Sequence, residues 1–259
     1  MRIKLQYRKR SNGLPILSMK EMDEFAESIL SDFNASILKE PAPVDMESLL
    51  EFYLGVGLDY QNLTHNKAIL GMTVFNDCRI PVYDWVNKTV KIIPVSAKTV
   101  LIDNLLLKQH QKGRYRFTLG HEASHWILHR DKYLENKQQT CLFSVDEVLP
   151  SVKCRATDIE NSSWCEPITT DHDLMEWQAD YMASALLMPK RTFLLALQEI
   201  LEQGGIHEKS IPRGIWDMII RTVTFKIAEI FQVSQQAARI RFDQLGVIRD
   251  EDERQLILF

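Results

Sequence analysis

The segment TLGHEASHWI, Thr118 to Ile127, places His121 and His125 four residues apart. On an α-helix that spacing sets both imidazoles on one face, one turn apart. Two such nitrogens can share a metal ion, and Zn²⁺ would sit about 2.0–2.1 Å from each. Glu122 is rotated from His121 by about 100° around the helix. It can flank an ion without binding it, which is where a general base acting on water belongs. The H-E-x-x-H pattern is that of zinc hydrolases. The bare pattern arises by chance in about one chain of this size in a hundred, so the flanks decide. Phe117, Leu119, Ala123, Trp126, Ile127 and Leu128 cover nearly every other direction of the helix. A helix that is apolar all round is buried. Buried His and Glu are costly without a partner, and a metal supplies one.

A catalytic zinc needs a third protein ligand and one open position. Glu176, in EWQAD, lies 51 residues after His125. A Glu on a helix is more often an exposed charge, but Trp177, Ala179, Ala183, Leu186 and Leu187 mark a packed helix here. Glu176 is therefore the candidate third ligand. Asp180, one turn on, can accept a hydrogen bond from the outer nitrogen of a ligand histidine. His129 continues the histidine series by one more turn. It can support the site, line its cleft, or simply sit well near the negative end of the helix dipole. His172 can cap the second helix or steady an oxyanion. Tyr115 and Tyr181 are candidate transition-state donors. A set of two histidines and one carboxylate also suits Mn²⁺ or Fe²⁺.

The elements that must position these residues follow from periodicity. Met22, Phe25, Ala26, Ile29, Leu30 and Phe33 predict a helix within Ser18 to Leu38. Asp45 is a candidate N-cap for a second helix, Met46 to Leu54, stopped by Gly55 and Gly57. Ala68 to Phe75, Arg79 to Tyr83, Val90 to Val95 and Thr99 to Ile102 are rich in Val, Ile and Thr and predict a small, mostly antiparallel or mixed sheet. Asn76-Asp77 looks like a hairpin turn between the first two strands. Helices are expected at Arg114 to about Asp131 and at Thr170 to Met188, ended by Pro189. Arg191 to Ile248 reads as mostly helical, broken at Gly204-Gly205 and Pro212. The polar connection of about 132–170 is long for a compact domain. It carries Cys141, Cys154 and Cys165, whose spacing matches no strong zinc pattern, so free thiols are expected.

Composition excludes other classes. The chain of 259 residues is 45% hydrophobic and 25% charged, which rules out a disordered or fibrous protein. A net charge of −4 gives no general drive toward nucleic acid. Residues 1–20 hold six Lys or Arg and no acid, while residues 21–60 hold ten acids and one lysine. This reads as a basic tail before solvated helix faces. No apolar run approaches the roughly 18 residues of a membrane span. The opening MRIKLQYRKRSNG has no apolar core, so no signal peptide is read and the cytoplasm is expected.

Two stretches, RFTLGHEASHWILH (Arg116 to His129) and EWQADYMASALLMP (Glu176 to Pro189), together resemble the ImmA/IrrE family of metallopeptidases. The resemblance implies an α+β, zincin-like peptidase domain with an active-site helix pair over residues 20–195. A basic segment, 1–19, precedes it, and a helical, helix-turn-helix-like region, 196–259, follows it. It implies a gluzincin-like site with His121, His125 and Glu176 as ligands and Glu122 as base. Asp180 stands where asparagine is common in the family. The implied partner is a helix-turn-helix transcriptional repressor, cleaved to release stress-response or mobile-element genes. Two alternatives stay open: a non-catalytic regulator that binds a repressor or antitoxin, and a DNA-binding protein acting through residues 225–249. In that region Ser234 would cap a helix bearing Arg239 and Arg241. Residues 205–259 balance eight basic against eight acidic residues, so DNA contact is not favoured.

Overall fold

In the computed structural model, which describes residues 6–135, 151–155, 168–205, 213–249 and 255–256, the basic opening segment is a hairpin rather than a tail. Strands β1 (Arg8–Lys9) and β2 (Pro15–Ile16) pair antiparallel. Its cations have partners distant in sequence. Lys9 Nζ lies 2.7 Å from Asp131, and Arg10 lies 2.9 Å from Asp171, which also accepts from Asn12. The charge asymmetry is thus partly resolved within the fold.

A capping box starts α1 (Met19–Asn34). The Ser18 N–H donates to Glu21 Oε2 (2.8 Å) and the Glu21 N–H to Ser18 Oγ (3.3 Å). A 3₁₀ turn, Ala35–Leu38, follows. Asp45 caps α2 (Met46–Ser48) through the Ser48 N–H, as its type and place suggest. The rest of the expected helix, Leu49–Leu54, is a π-helix, ended by Gly55 at φ 66°. Gly57 is not part of that stop. It opens a strand that periodicity does not reveal, β3 (Gly57–Gln61).

The other strands are β4 (Ile69–Val74), β5 (Cys78–Asp84), β6 (Thr89–Val95), β7 (Thr99–Asp103) and β8 (Ser151–Arg155). They form a four-stranded mixed sheet, β3-β7-β4-β8, and a separate β5-β6 hairpin. Only β3 and β7 are parallel; β4 runs antiparallel to both β7 and β8. The expected β4–β5 hairpin at Asn76-Asp77 does not form. Asp77 Oδ1 instead accepts from the Ala97 N–H (2.7 Å), and β5 pairs with β6. Strand β8 comes from the polar connection, where no strand was expected. Cys141 and Cys165 lie outside the described residues, and Cys78 is a buried free thiol.

Strand β4 is buried almost throughout and works by its period of two. Met72 and Val74 join Leu101, Cys78, Ile80, Val82 and Val95 in one apolar core. Gly71 and Thr73 face the other way, toward α3 (Lys112–Glu135), which packs on β4. Every residue of α3 from Thr118 to His129 is buried. Phe75 stacks on Trp126 and Tyr133, with ring centres 5.8 and 4.4 Å away. A Thr170–Asp173 capping box then opens α4 (Asp171–Leu187), so the cap is Thr170 and not His172.

The remaining elements are α5 (Lys190–Gln203), α6 (Arg213–Phe231), α7 (Gln235–Gln244), and short strands β9 (Ile248–Arg249) and β10 (Gln255–Leu256), which pair antiparallel. The chain divides into two compact units. One holds residues 1–22 and 45–183, the other 23–44 and 184–259. The boundaries fall within α1 and α4. In the second unit, α6 and α7 pack on each other, and Ser234 caps α7 by accepting from the Ala237 N–H. Phe193, Phe231 and Phe242 are buried in its core. Among the described residues no helix is long and apolar enough to cross a membrane.

Arg241 is not the surface cation that the DNA-binding alternative assumed. Its side chain is fully buried, pairs with Asp23 Oδ1 at 2.7 Å and donates to the Met188 carbonyl at 3.0 Å. It is a strut of the second unit, with no surface to offer a phosphate. Arg239 is exposed but is paired with Asp243. Removing one member of a buried ion pair strands the other. Arg241→Ala is expected to destabilise the protein by about 3–5 kcal/mol, read as a lower urea midpoint. An unchanged midpoint would contradict this assignment.

Candidate metal centre

Four titratable residues of α3 are without solvent exposure: His121, Glu122, His125 and His129. Their neighbours come from α4 and β4. The Nε2 atoms of His121 and His125 face each other at 2.9 Å. Glu176 closes the triangle, with Oε2 at 3.3 Å from His121 Nε2 and Oε1 at 3.5 Å from His125 Nε2. One ligand atom from each of the three lies within 4.8 Å of the others.

These residues fit a metal ion. Tetrahedral coordination at about 2.0–2.1 Å separates neighbouring ligand atoms by about 3.3 Å, close to the separations found here. Both oxygens of Glu176 are buried, with only histidine nitrogens, at 3.3–3.5 Å, as polar neighbours among the described residues. An anion held beside two imidazoles in this way is a ligand set short of its cation. Two histidines and one carboxylate leave a fourth position open.

Charge agrees with geometry. Burial alone would lower the His121 pKa, but hydrogen bonds and charge from Asp180 and Glu176 outweigh it and hold it well above the usual histidine value. Asp180 Oδ1 lies 2.9 Å from His121 Nδ1. His125 is pushed down to about 4 by burial, which Glu176 offsets only in part. His129 is pushed down to about 3 by burial, with His125 adding to the effect. Glu176 stays well below the usual carboxylate range despite burial, because His125 and His121 stand beside it.

Glu122 is not one of the three clustered ligands, and its carboxylate is held from strand β4. Thr73 Oγ1 lies 2.6 Å from Glu122 Oε2 and 3.0 Å from its carbonyl. Gly71 makes room for the same side chain. A Cβ there would lie 2.6 Å from Glu122 Oε1 and 2.6 Å from Thr118 Cγ2. Sequence reasoning assigned no role to Gly71 or Thr73. The available signal was their alternation in ILGMTV, where a glycine and a hydroxyl share the face opposite Met72. It also passed over Gln178, a fully buried amide on α4.

The other candidates separate. His172 is 65% exposed, with Nδ1 3.5 Å from Glu176 Oε1, so it stands at the rim. His129 bonds to His125 and Gln178 inside the protein. Tyr115 is tied to Glu47 (2.7 Å) and Tyr60 (2.8 Å) rather than brought to the cluster. Tyr181 is buried beside Trp177. Tyr133 feels the Glu176 carboxylate; burial chiefly pushes its pKa up to about 12, so it remains a donor at neutral pH.

Two outcomes are expected. Asp180 and Glu176 favour the protonated form of His121 in metal-free protein, and a cation bound at Nε2 competes with that proton. Metal uptake at pH 7 should release about one proton per ion, and affinity should fall as pH falls. Calorimetry in buffers of different ionisation enthalpy reads the proton count; a count of zero would contradict the assignment. Gly71→Ala should force Glu122 and Thr118 out of place and cost about 1–3 kcal/mol. Thermal unfolding at wild-type temperature would show that the glycine is dispensable.

Residues 165–243 match the family model Peptidase_M78, described as an IrrE N-terminal-like domain. The matched stretch carries Glu176, Gln178 and Asp180, runs into α7 and does not reach α3. No curated protein matches the chain. The match over the second motif, beside the resemblance carried by both motifs, supports an ImmA/IrrE family metallopeptidase.

Proposed function

We propose that the chain is a zinc-dependent endopeptidase that cuts a helix-turn-helix transcriptional repressor and so relieves repression. The observation that carries the chemistry is the convergence of His121, His125 and Glu176 beside a carboxylate, Glu122, that is held out of the ligand set. Zn²⁺ in that set supplies Lewis acidity toward a peptide carbonyl and toward water. Mn²⁺ or Fe²⁺ suits the same donors.

The protein's own residues do the rest. Glu122 takes a proton from the attacking water and passes it to the leaving amine. Thr73, donating to Oε2, limits the positions that carboxylate can take. Asp180 holds His121 through Nδ1, which turns Nε2 toward Glu176. His172 at the rim is placed to donate to charge developing on the substrate. A structural metal site needs ligands but no base, so the supported position of Glu122 favours catalysis over a purely structural metal. The repressor as substrate, and relief of repression as outcome, rest on the family resemblance.

The test uses full-length protein loaded with Zn²⁺ and a purified helix-turn-helix repressor from the same organism. Wild-type protein should cut it. Glu122→Gln should keep its metal and lose at least about 10²-fold in rate, the usual share of a general base. Equal cleavage by both would remove Glu122 from the mechanism. A repressor bound but left intact by the zinc-loaded wild type would favour the binding regulator.

A further inference from the structure

The outer side of His125, turned from the ligand triangle, leads into a chain of hydrogen bonds that ends on the N-terminal hairpin. His125 Nδ1 lies 2.9 Å from His129 Nδ1. His129 Nε2 lies 3.0 Å from Gln178 Oε1. Gln178 Nε2 lies 2.9 Å from the carbonyl oxygen of Pro15, in β2. His125, His129 and Gln178 are all fully buried, so no water competes for these bonds.

The direction of each bond follows from its far end. A carbonyl oxygen can only accept, so the Gln178 atom facing Pro15 must be the amide nitrogen. The amide oxygen therefore faces His129, and His129 Nε2 must carry a hydrogen to donate. A neutral imidazole has one N–H, so His129 Nδ1 is left with its lone pair. It can only accept, and the donor must be His125 Nδ1–H. That leaves the lone pair of His125 on Nε2, the atom that faces His121 Nε2 and Glu176.

We propose that Gln178 and His129 are positioning residues that read the Pro15 carbonyl and thereby hold His125 in the one tautomer able to bind a metal through Nε2. His121 reaches the same state by a shorter route, through Asp180. The two ligand histidines are thus set by different means, one by an anion and one by a neutral relay. The relay makes the first hairpin part of the metal centre without contributing a ligand. The inference rests on the metal reading given above.

The test measures Zn²⁺ affinity of the full chain by competition with a chromophoric chelator, independent of any substrate. His129→Leu and Gln178→Leu each break the relay and should weaken binding by about 10–100-fold, as loss of a ligand's outer partner does. His129→Asn puts an amide oxygen where Nδ1 stood, keeps the acceptor, and should stay within a few-fold of wild type. Nitrogen-15 NMR of the histidine rings in zinc-loaded wild-type protein should show His125 protonated at Nδ1 and His129 at Nε2. That measurement stands even if a Leu variant fails to fold. Wild-type affinity in both Leu variants, an Asn variant as weak as His129→Leu, or the opposite tautomers would each overturn the relay alone. A wild-type chain that takes up no Zn²⁺ would overturn the metal reading and the relay with it.

Discussion

The centre of α3 lies wholly out of water, yet it carries three imidazoles and a carboxylate. Each of these groups loses several hydrogen bonds to solvent on burial and must recover them inside. That demand organises the surrounding elements. Strand β4 offers Thr73 to the carboxylate and a bare backbone at Gly71 for it to lie against. Helix α4 offers Asp180 to one imidazole and Gln178 to another. The meeting of two Nε2 atoms with the carboxylate of Glu176 is the part that protein atoms satisfy least well. A divalent cation would answer it.

Support and chemistry are kept on different atoms. The outer nitrogens of His121 and His125 take the structural bonds, and the inner nitrogens are left to converge. Glu122 is restrained through Oε2 by the Thr73 hydroxyl, the shorter of its two contacts with that residue. Such preorganisation matters because small errors of placement at a reacting centre are expensive in rate. It also ties the site to parts of the chain that look remote in sequence. The β1-β2 hairpin reaches Asp131 and Asp171 by ion pairs and Gln178 by a main-chain carbonyl.

The second unit shows the opposite use of a charged residue. Arg241 lies on a helix whose neighbours invite a nucleic-acid reading, but its guanidinium is spent on Asp23 and on the Met188 carbonyl. Helical periodicity can assign a residue to a face of its own helix. It cannot say what another segment, more than two hundred residues away, brings against that face.

Much of the candidate metal centre was legible because its logic is local. A four-residue spacing, a neighbouring glutamate and apolar flanks are properties of one helix, and EWQAD is a property of another. The capping residues Asp45 and Ser234 were legible for the same reason. Strand pairing was not. Asn76-Asp77 looks like a hairpin turn, but β4 pairs with β7 and with β8, whose polar sequence has no clear alternation. The partners of Glu122 and His129 were hidden as well, since a glycine, a threonine, a glutamine and a proline carbonyl carry no chemical mark until folding sets them beside a buried charge or ring. Sequence by itself determined which groups are available and how helices space them, because those depend on residue type and a 3.6-residue period. Tertiary structure alone decided which of them meet, in which tautomer and against which backbone atom, because those depend on contacts between segments far apart in the chain.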